Sequence, residues 1–89
     1  MRGIVTVLGK DSVGIIAKVC SYLSEKNVNV LDIAQTIVGG YFNMMMIVDL
    51  AVASESLAPM AEGLENLGRD IGVVVKLQHE DIFNAMHRI

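Results

Sequence analysis

The chain has 89 residues, a formal net charge of −3 and a hydrophobic fraction of 53%. This length suits one domain with a modest core, and we expect residues 1–89 to form a single domain. The 7 lysines and arginines are scattered, which argues against direct binding of nucleic acid. No run of about 18 apolar residues is present, which argues against a membrane span.

The apolar content predicts that the chain associates with itself. A domain of this size buries only roughly 60% of the surface of its unfolded chain. Part of the apolar surface therefore remains outside the core, and a second copy is the simplest cover for it. We expect a homodimer or a larger homo-oligomer.

The start of the chain and its cysteine content indicate a cytoplasmic protein. Residues 1–3 lead directly into an apolar segment and lack the architecture of a signal peptide. The single cysteine, Cys20, cannot form an internal disulfide, which is typical of a reducing compartment. Cys20 lies on the apolar face of a predicted helix with no histidine near it in sequence. A buried structural thiol is therefore favoured over a nucleophile.

The first quarter of the chain predicts a strand followed by a helix. The strand covers Gly3–Leu8, and its apolar side chains point both ways, so we expect both of its faces to be covered. Apolar residues at helical spacing predict a helix over Val13–Lys26. Asp11 or Ser12 is expected to cap its start, and Asn27 is expected to stop it in the left-handed conformation.

A hairpin is predicted next. Val28–Val38 favours a strand, but its apolar residues do not keep to one face, which a β-bulge would explain. Gly39 and Gly40 supply a two-residue turn, and Tyr41–Ala51 is the returning strand. Met44–Met46 suggests either soft-metal binding or core packing. Packing is favoured because consecutive side chains of a strand point to opposite faces.

The second half predicts a helix, a strand and a terminal helix. Ser54 or Ser56 caps the helix, an apolar stripe runs along it, and Gly72 ends it. Residues 73–77 form the fourth strand, and Asp81 caps a short helix over residues 81–89. The order β-α-β-β-α-β predicts a ferredoxin-like α+β fold, with a four-stranded antiparallel sheet and two helices on one face. The core would span about residues 3–79, with the first strand between the third and the fourth.

The residues that could carry chemistry are few. His79, Glu80, Asp81 and His87 suggest either a metal site or a surface cluster, and their spacing matches no ligand motif, which favours the surface cluster. No acid–base pair, phosphate loop or nucleophile elbow is evident. We therefore expect no enzyme activity, no metal and no cofactor.

The junction between the first strand and the first helix is the best candidate site. The early N–H groups of that helix and its dipole favour a carboxylate. Gly14 lacks a Cβ, so a ligand can approach closely. The alternative is a simple turn, because many α/β units have a glycine at such a junction.

Four stretches together resemble the ACT domain family, whose members are small regulatory modules that often bind amino acids. They are KDSVGIIA at residues 10–17, NVNVLDI at 27–33, GV at 72–73 and QHEDIFNAMHRI at 78–89. The last stretch is similar to that of the stand-alone, single-domain ACT proteins. Those proteins resemble one half of glycine-cleavage-type regulators.

The resemblance implies a site between two copies. ACT domains commonly pair side by side into a continuous eight-stranded sheet, and the ligand lies between the first loop of one copy and the second strand of its neighbour. Carried over by position, the ligand-binding residues are Asp11, Ser12, Val13, Gly14 and Ile15 from one copy, with Asn29, Leu31 and Asp32 from the other.

Two of these residues have simpler alternatives. Asn29 either bonds a ligand's carboxylate or ammonium or bonds a backbone group at the start of its strand. Asp32 either neutralises an α-ammonium or is solvated. The expected function is binding of an amino acid or similar small carboxylate at a subunit interface, transmitted through oligomerisation or docking on a partner. The alternative is a ligand-free module for dimerisation or protein interaction.

Overall fold

A four-stranded sheet with three helices forms the fold in a computed structural model, which describes residues 1–10 and 14–86. The strands run in the order β2-β3-β1-β4, and each pair of neighbours is antiparallel. This confirms the ferredoxin-like α+β prediction, including the place of β1 between β3 and β4. The elements are β1 (Arg2–Gly9), α1 (Ile15–Glu25), β2 (Asn29–Val38), β3 (Tyr41–Asp49), α2 (Leu57–Ile71), β4 (Val74–His79) and α3 (Glu80–Met86).

The core lies between one face of the sheet and the helices α1 and α2. Alternate residues of β1, β3 and β4 are buried there, while α1 and α2 each contribute residues at helical spacing. Met44 and Met46 belong to this core, whereas Met45 is 41% exposed on the opposite face, as strand alternation predicts. The core-facing strand residues are Val5, Val7, Phe42, Met44, Met46, Val48, Val75 and Leu77.

The predicted stops and turns are present. Asn27 follows α1 with φ 57°, and Gly72 ends α2 with φ 79°. Gly39 and Gly40 have φ 57° and 84°, the two left-handed conformations that a tight two-residue hairpin requires. Ser56 occupies the position before α2, although its side chain makes no capping bond.

Two helix starts differ from the predictions. The N-cap of α1 is Gly14, which has no side chain to accept a bond, so α1 begins later than caps at Asp11 or Ser12 imply. Those two residues lie outside the described part of the chain. In α3, Asp81 is within the first turn, and its N–H donates to Nδ1 of His79 at 3.1 Å. The ring of His79 therefore caps the start of α3, the role that was predicted for Asp81.

Two strand predictions also need correction. Leu8 is 51% exposed, so the second face of β1 is only partly covered. Ile4, on that same face, is 5% exposed. Since α3 packs against β1 and β4, it covers Ile4 but leaves Leu8 open. The strand β3 ends at Asp49 and not at the predicted Ala51. The Oδ1 atom of Asp49 accepts the N–H of Ala51 at 2.9 Å and so turns the chain away from the sheet.

The strand β2 contains the predicted bulge. Val30 pairs with Val48 and Asp32 with Ile47, so Leu31 is the extra residue. Because of the extra residue, side chains an odd number of positions apart on the two sides of the bulge point to the same face of the sheet. This explains why the apolar residues of β2 do not follow a simple alternation. The residues facing the helix side are Val30, Ile33, Gln35 and Ile37, opposite the buried Val48, Met46, Met44 and Phe42.

Candidate functional site

The start of α1 is open to solvent at Gly14. This residue has φ 74° and is exposed, and a Cβ added to it would meet, within 4 Å, no atom of the described residues beyond its chain neighbours. Its carbonyl accepts the N–H of Lys18 at 3.1 Å, which begins the helical ladder. The N–H groups of the first turn precede that ladder and have no partner within the helix. Of the predicted neighbours, Asp11, Ser12 and Val13 lie outside the described residues.

The side chain of Ile15, the next predicted ligand-binding residue, is buried. It is 4% exposed and belongs to the core. A ligand at this end of α1 can therefore reach only the backbone of Ile15. The side chain instead anchors the first turn of the helix and fixes the direction of its N–H groups.

A cation lies at the same end of the sheet as the start of α1. Lys10 follows β1, and its Nζ is 5.8 Å from the centre of the Tyr41 ring, close enough for a cation–π contact. Its side chain is thereby held beside the β2–β3 turn. The positive charge adds to the helix dipole and favours an anion at this end.

The second predicted half of the site is the start of β2. Asn29, Leu31 and Asp32 are all exposed. The Oδ1 atom of Asp32 accepts the backbone N–H of Ile33 at 2.8 Å, which fixes the carboxylate beside the bulge. Asp32 is therefore both solvated and locally bonded, while its negative charge remains at the free edge.

One chain does not bring the two halves together. Gly14 is at the beginning of α1 and Asn29 follows its end, and the helix has 11 residues. At 1.5 Å per residue this separates the halves by about 16 Å. A site with both halves requires a second chain.

A hollow between α1 and the β2–β3 hairpin was not predicted from the sequence. It encloses about 510 Å³ and is called the edge hollow below. Ile16, in the first turn of α1, forms one wall, so the hollow lies beside the candidate site. Part of the hollow could have been predicted from the hairpin turn. A two-residue turn at Gly39–Gly40 pairs Ile37 with Phe42, and both residues line the hollow. The lining residues are Ile16, Gln35, Thr36, Ile37 and Phe42.

A second, more open hollow lies at the other end of α1. It encloses about 340 Å³, and both Asn29 and Cys20 line it. Cys20 is half-buried against the core, so it is less buried than the predicted structural thiol. The lining residues are Cys20, Ser24, Asn27, Val28, Asn29, Val30 and Val52.

The candidate metal cluster has a structural explanation. His79 accepts the Asp81 N–H through Nδ1, and Glu80 pairs with Arg2 at 3.4 Å. Within residues 1–10 and 14–86, no three His, Cys, Asp or Glu side chains lie close enough together to hold a metal ion. His87 is outside that part of the chain. Across the same residues, no helix is long and apolar enough to cross a membrane.

Comparison with known families identifies the fold. The sequence profile of the ACT domain matches residues 3–78. The chain belongs to the ACT domain family. A UPF0237 protein of Bifidobacterium longum is 61% identical over 88 residues, which cover 99% of this chain and 98% of that protein. Members of the ACT family are regulatory, ligand-binding modules.

Solved structures agree with a stand-alone ACT protein. An ACT domain protein from Streptococcus pneumoniae superposes with a TM-score of 0.84 at 34% identity, covering 98% of both chains. A putative glycine cleavage system transcriptional repressor has a TM-score of 0.72 at 19% identity, with 89% of this chain covering 47% of that one. The second likeness shows the fold alone, and it confirms the resemblance to one half of such a regulator.

Proposed function

We propose that this ACT domain is a regulatory module that binds an amino acid, or a similar small carboxylate, between two paired copies. Binding stabilises the pair and is transmitted through oligomerisation or docking on a partner protein. We place the module in the cytoplasm, in keeping with its single cysteine.

The observation that carries the proposal is the exposed edge strand. All 10 residues of β2 are exposed, and the strand is at the edge of the sheet. A long apolar edge is a ready template for pairing with another strand. The large apolar side chains exposed along it are Val30, Leu31, Ile33, Ile37 and Val38.

Pairing of this edge would assemble the two halves of the site. A two-fold axis that brings β2 against β2 makes the two strands antiparallel. The start of one copy's β2 then lies beside the end of the other copy's β2. That end is next to the start of α1, since β2 runs parallel to β1 in the sheet. Asn29, Leu31 and Asp32 of one copy thus approach Gly14 of the other.

The two halves complement an amino acid. The N–H groups at the start of α1, the helix dipole and Lys10 favour the α-carboxylate. The carboxylate of Asp32 from the second copy supplies a negative charge for the α-ammonium, and Asn29 supplies a hydrogen bond. Neither half is complete alone, so ligand affinity and subunit pairing are linked.

A thermal-shift screen with the natural amino acids and simple carboxylates tests the proposal, followed by calorimetry on each hit. A ligand at about 100 times its dissociation constant adds about 2.7 kcal/mol to the free energy of unfolding. The apparent affinity should rise with protein concentration, because dimer formation completes the site. Affinity that is independent of protein concentration would contradict a shared site.

The exposed edge also serves the alternative, a ligand-free module that dimerises or docks on a protein. Under that alternative sedimentation shows a dimer, and no amino acid produces heat or raises the melting temperature. The screen and the sedimentation run therefore separate the two functions when they are performed on the same preparation.

A further inference from the structure

Three of the five residues that line the edge hollow are apolar. Ile16 closes it from α1, and Phe42, which is 3% exposed, forms its floor in β3. Ile37 flanks it from β2. Gln35 is on the same face as Ile37, whereas Thr36 points to the opposite face and contributes backbone. Among the described residues that line the hollow, none carries a charge.

We propose that the edge hollow receives the side chain of the bound amino acid and selects for uncharged, apolar side chains. This inference rests on the proposed function, because it places the backbone of the ligand at the start of α1. It adds the chemical class of the ligand, which neither half of the paired site specifies.

Position supports this assignment. Ile16 is two residues beyond Gly14 and lies in the first turn of α1. A ligand whose carboxylate is bound at the first N–H groups therefore has its Cα beside the mouth of the hollow. The volume of about 510 Å³ falls within the usual range for small-molecule sites, about 300–1,000 Å³. A longer aliphatic chain can enter without displacing the core.

Exposure supports it as well. Ile37 is 71% exposed although it faces the helix side of the sheet. An aliphatic side chain in the hollow would remove apolar surface of Ile37 and Ile16 from water, which is favourable. A carboxylate or ammonium side chain would lose its hydration there with only the neutral amide of Gln35 as a polar side chain to bond it and no opposite charge among the described lining residues, which is unfavourable.

A homologous ligand series measures the interaction directly. Alanine, 2-aminobutyrate and norvaline differ by one methylene at each step and share the same carboxylate and ammonium. Each buried methylene is worth about 0.8 kcal/mol, or about fourfold in affinity. Calorimetry should therefore show norvaline binding about fifteenfold tighter than alanine, and glutamate binding more weakly than norvaline.

A matched pair of variants tests the position of the hollow. Ile37 and Val38 are adjacent in β2, β-branched and similarly exposed, at 71% and 70%, but they point to opposite faces. Ile37→Ala should reduce the norvaline-to-alanine affinity ratio to less than about threefold, since the wall that contacts the longer chain is lost. Val38→Ala should leave the ratio unchanged. The ratio within one variant cancels any common effect on dimer formation, which sedimentation measures separately.

The outcomes distinguish this inference from the proposed function. Equal affinities across the series would overturn the inference while leaving a shared amino-acid site in place. The same holds if Val38→Ala alters the ratio as much as Ile37→Ala. Absence of heat with all three ligands would overturn the inference, whereas the proposed function fails only if the full screen of natural amino acids and simple carboxylates finds no ligand.

Discussion

Ile37 and Phe42 face each other across the β2–β3 hairpin, yet Phe42 is 3% exposed and Ile37 is 71% exposed. The two side chains share one face of the sheet, so the helices cover that face as far as β3 and no further. This edge strand carries five of the twelve large hydrophobic side chains that are exposed among the described residues. We expect that edge to determine both the association of the protein and its ligand chemistry.

The first prediction concerns the pairing edge. Ile33 is 44% exposed on the helix-facing side of β2. Ile33→Lys should convert the dimer to a monomer while the fold persists, because an edge lysine opposes strand pairing and its charge would have to be desolvated. Sedimentation velocity at micromolar concentration measures the change.

The opposite edge of the sheet offers the control. Val74 is a β-branched residue on β4, 55% exposed. Val74→Lys adds the same charge to an edge strand and should leave the dimer intact. If Val74→Lys dissociates the dimer and Ile33→Lys does not, the pairing edge is β4.

The second prediction concerns ligand contacts at the start of β2. Asn29→Ala should weaken amino-acid binding by about 1–3 kcal/mol if its side chain bonds a charged group of the ligand. Asn43→Ala, also exposed but on the third strand, is the matched control and should bind normally. Calorimetry on both variants gives the comparison, and equal affinities would remove Asn29 from the site.

The sequence predicted the order of the elements well because the determining signals are local. Gly39–Gly40, Asn27 and Gly72 encode their own backbone conformations, and apolar spacing defines α1 and α2. The imperfect parity of β2 correctly indicated a bulge. The exposure of β2 could not be predicted, because an apolar strand at the edge of a sheet and one in the centre have the same composition.

The candidate site was less predictable, because it depends on contacts between elements that are distant in the sequence. The burial of the Ile15 side chain depends on the rotation of α1 about its axis, which the loop motif does not specify. The edge hollow arises from Ile16 meeting Ile37 and Phe42, which are distant in the chain. The position of Ile16 beside this pair depends on how α1 packs on the sheet. The sequence predicted only the pairing of Ile37 with Phe42 across the hairpin.

The third prediction concerns the backbone at Gly14. Its φ of 74° is strained for residues with a side chain, and most of all for β-branched ones. Gly14→Val should lower the free energy of unfolding by about 1–3 kcal/mol and also obstruct the ligand. Gly14→Asn should cost less, since asparagine tolerates the left-handed region. A Cβ here meets no atom of the described residues beyond its chain neighbours, so equal losses in urea unfolding would show that backbone strain is not the cause.

The fourth prediction concerns alkaline pH. A side-chain hydrogen bond to Glu55 raises the pKa of Lys26 above its ordinary value, partly offset by burial. The ion pair therefore stabilises the fold below the pKa of the unfolded lysine, and this stabilisation is lost as the pH rises through the folded pKa. The native protein should melt at a higher temperature than Lys26→Met, and this difference in melting temperature should shrink above about pH 10.

The last prediction concerns α3, which packs against β1 and β4. Ile4 of β1 points to the face of the sheet opposite that of Val5 and Val7. Ile4 is 5% exposed there and is not part of the main cluster, so α3 provides its cover. A chain ending at Asp81 should expose this surface, lose solubility and bind more of a hydrophobic dye. A truncated chain that remains as soluble as the parent would show that α3 is dispensable.

Two single substitutions separate the packing role of α3 from the effect of shortening the chain. Phe83 is half-buried, whereas Ile82 beside it is 55% exposed. Phe83→Ala should lower the free energy of unfolding by about 1–3 kcal/mol, less than the 3–5 kcal/mol of a fully buried aromatic residue. Ile82→Ala should cost less than about 0.5 kcal/mol, as exposed substitutions do. Urea unfolding of both variants measures these changes. Equal losses would mean that α3 does not pack through Phe83.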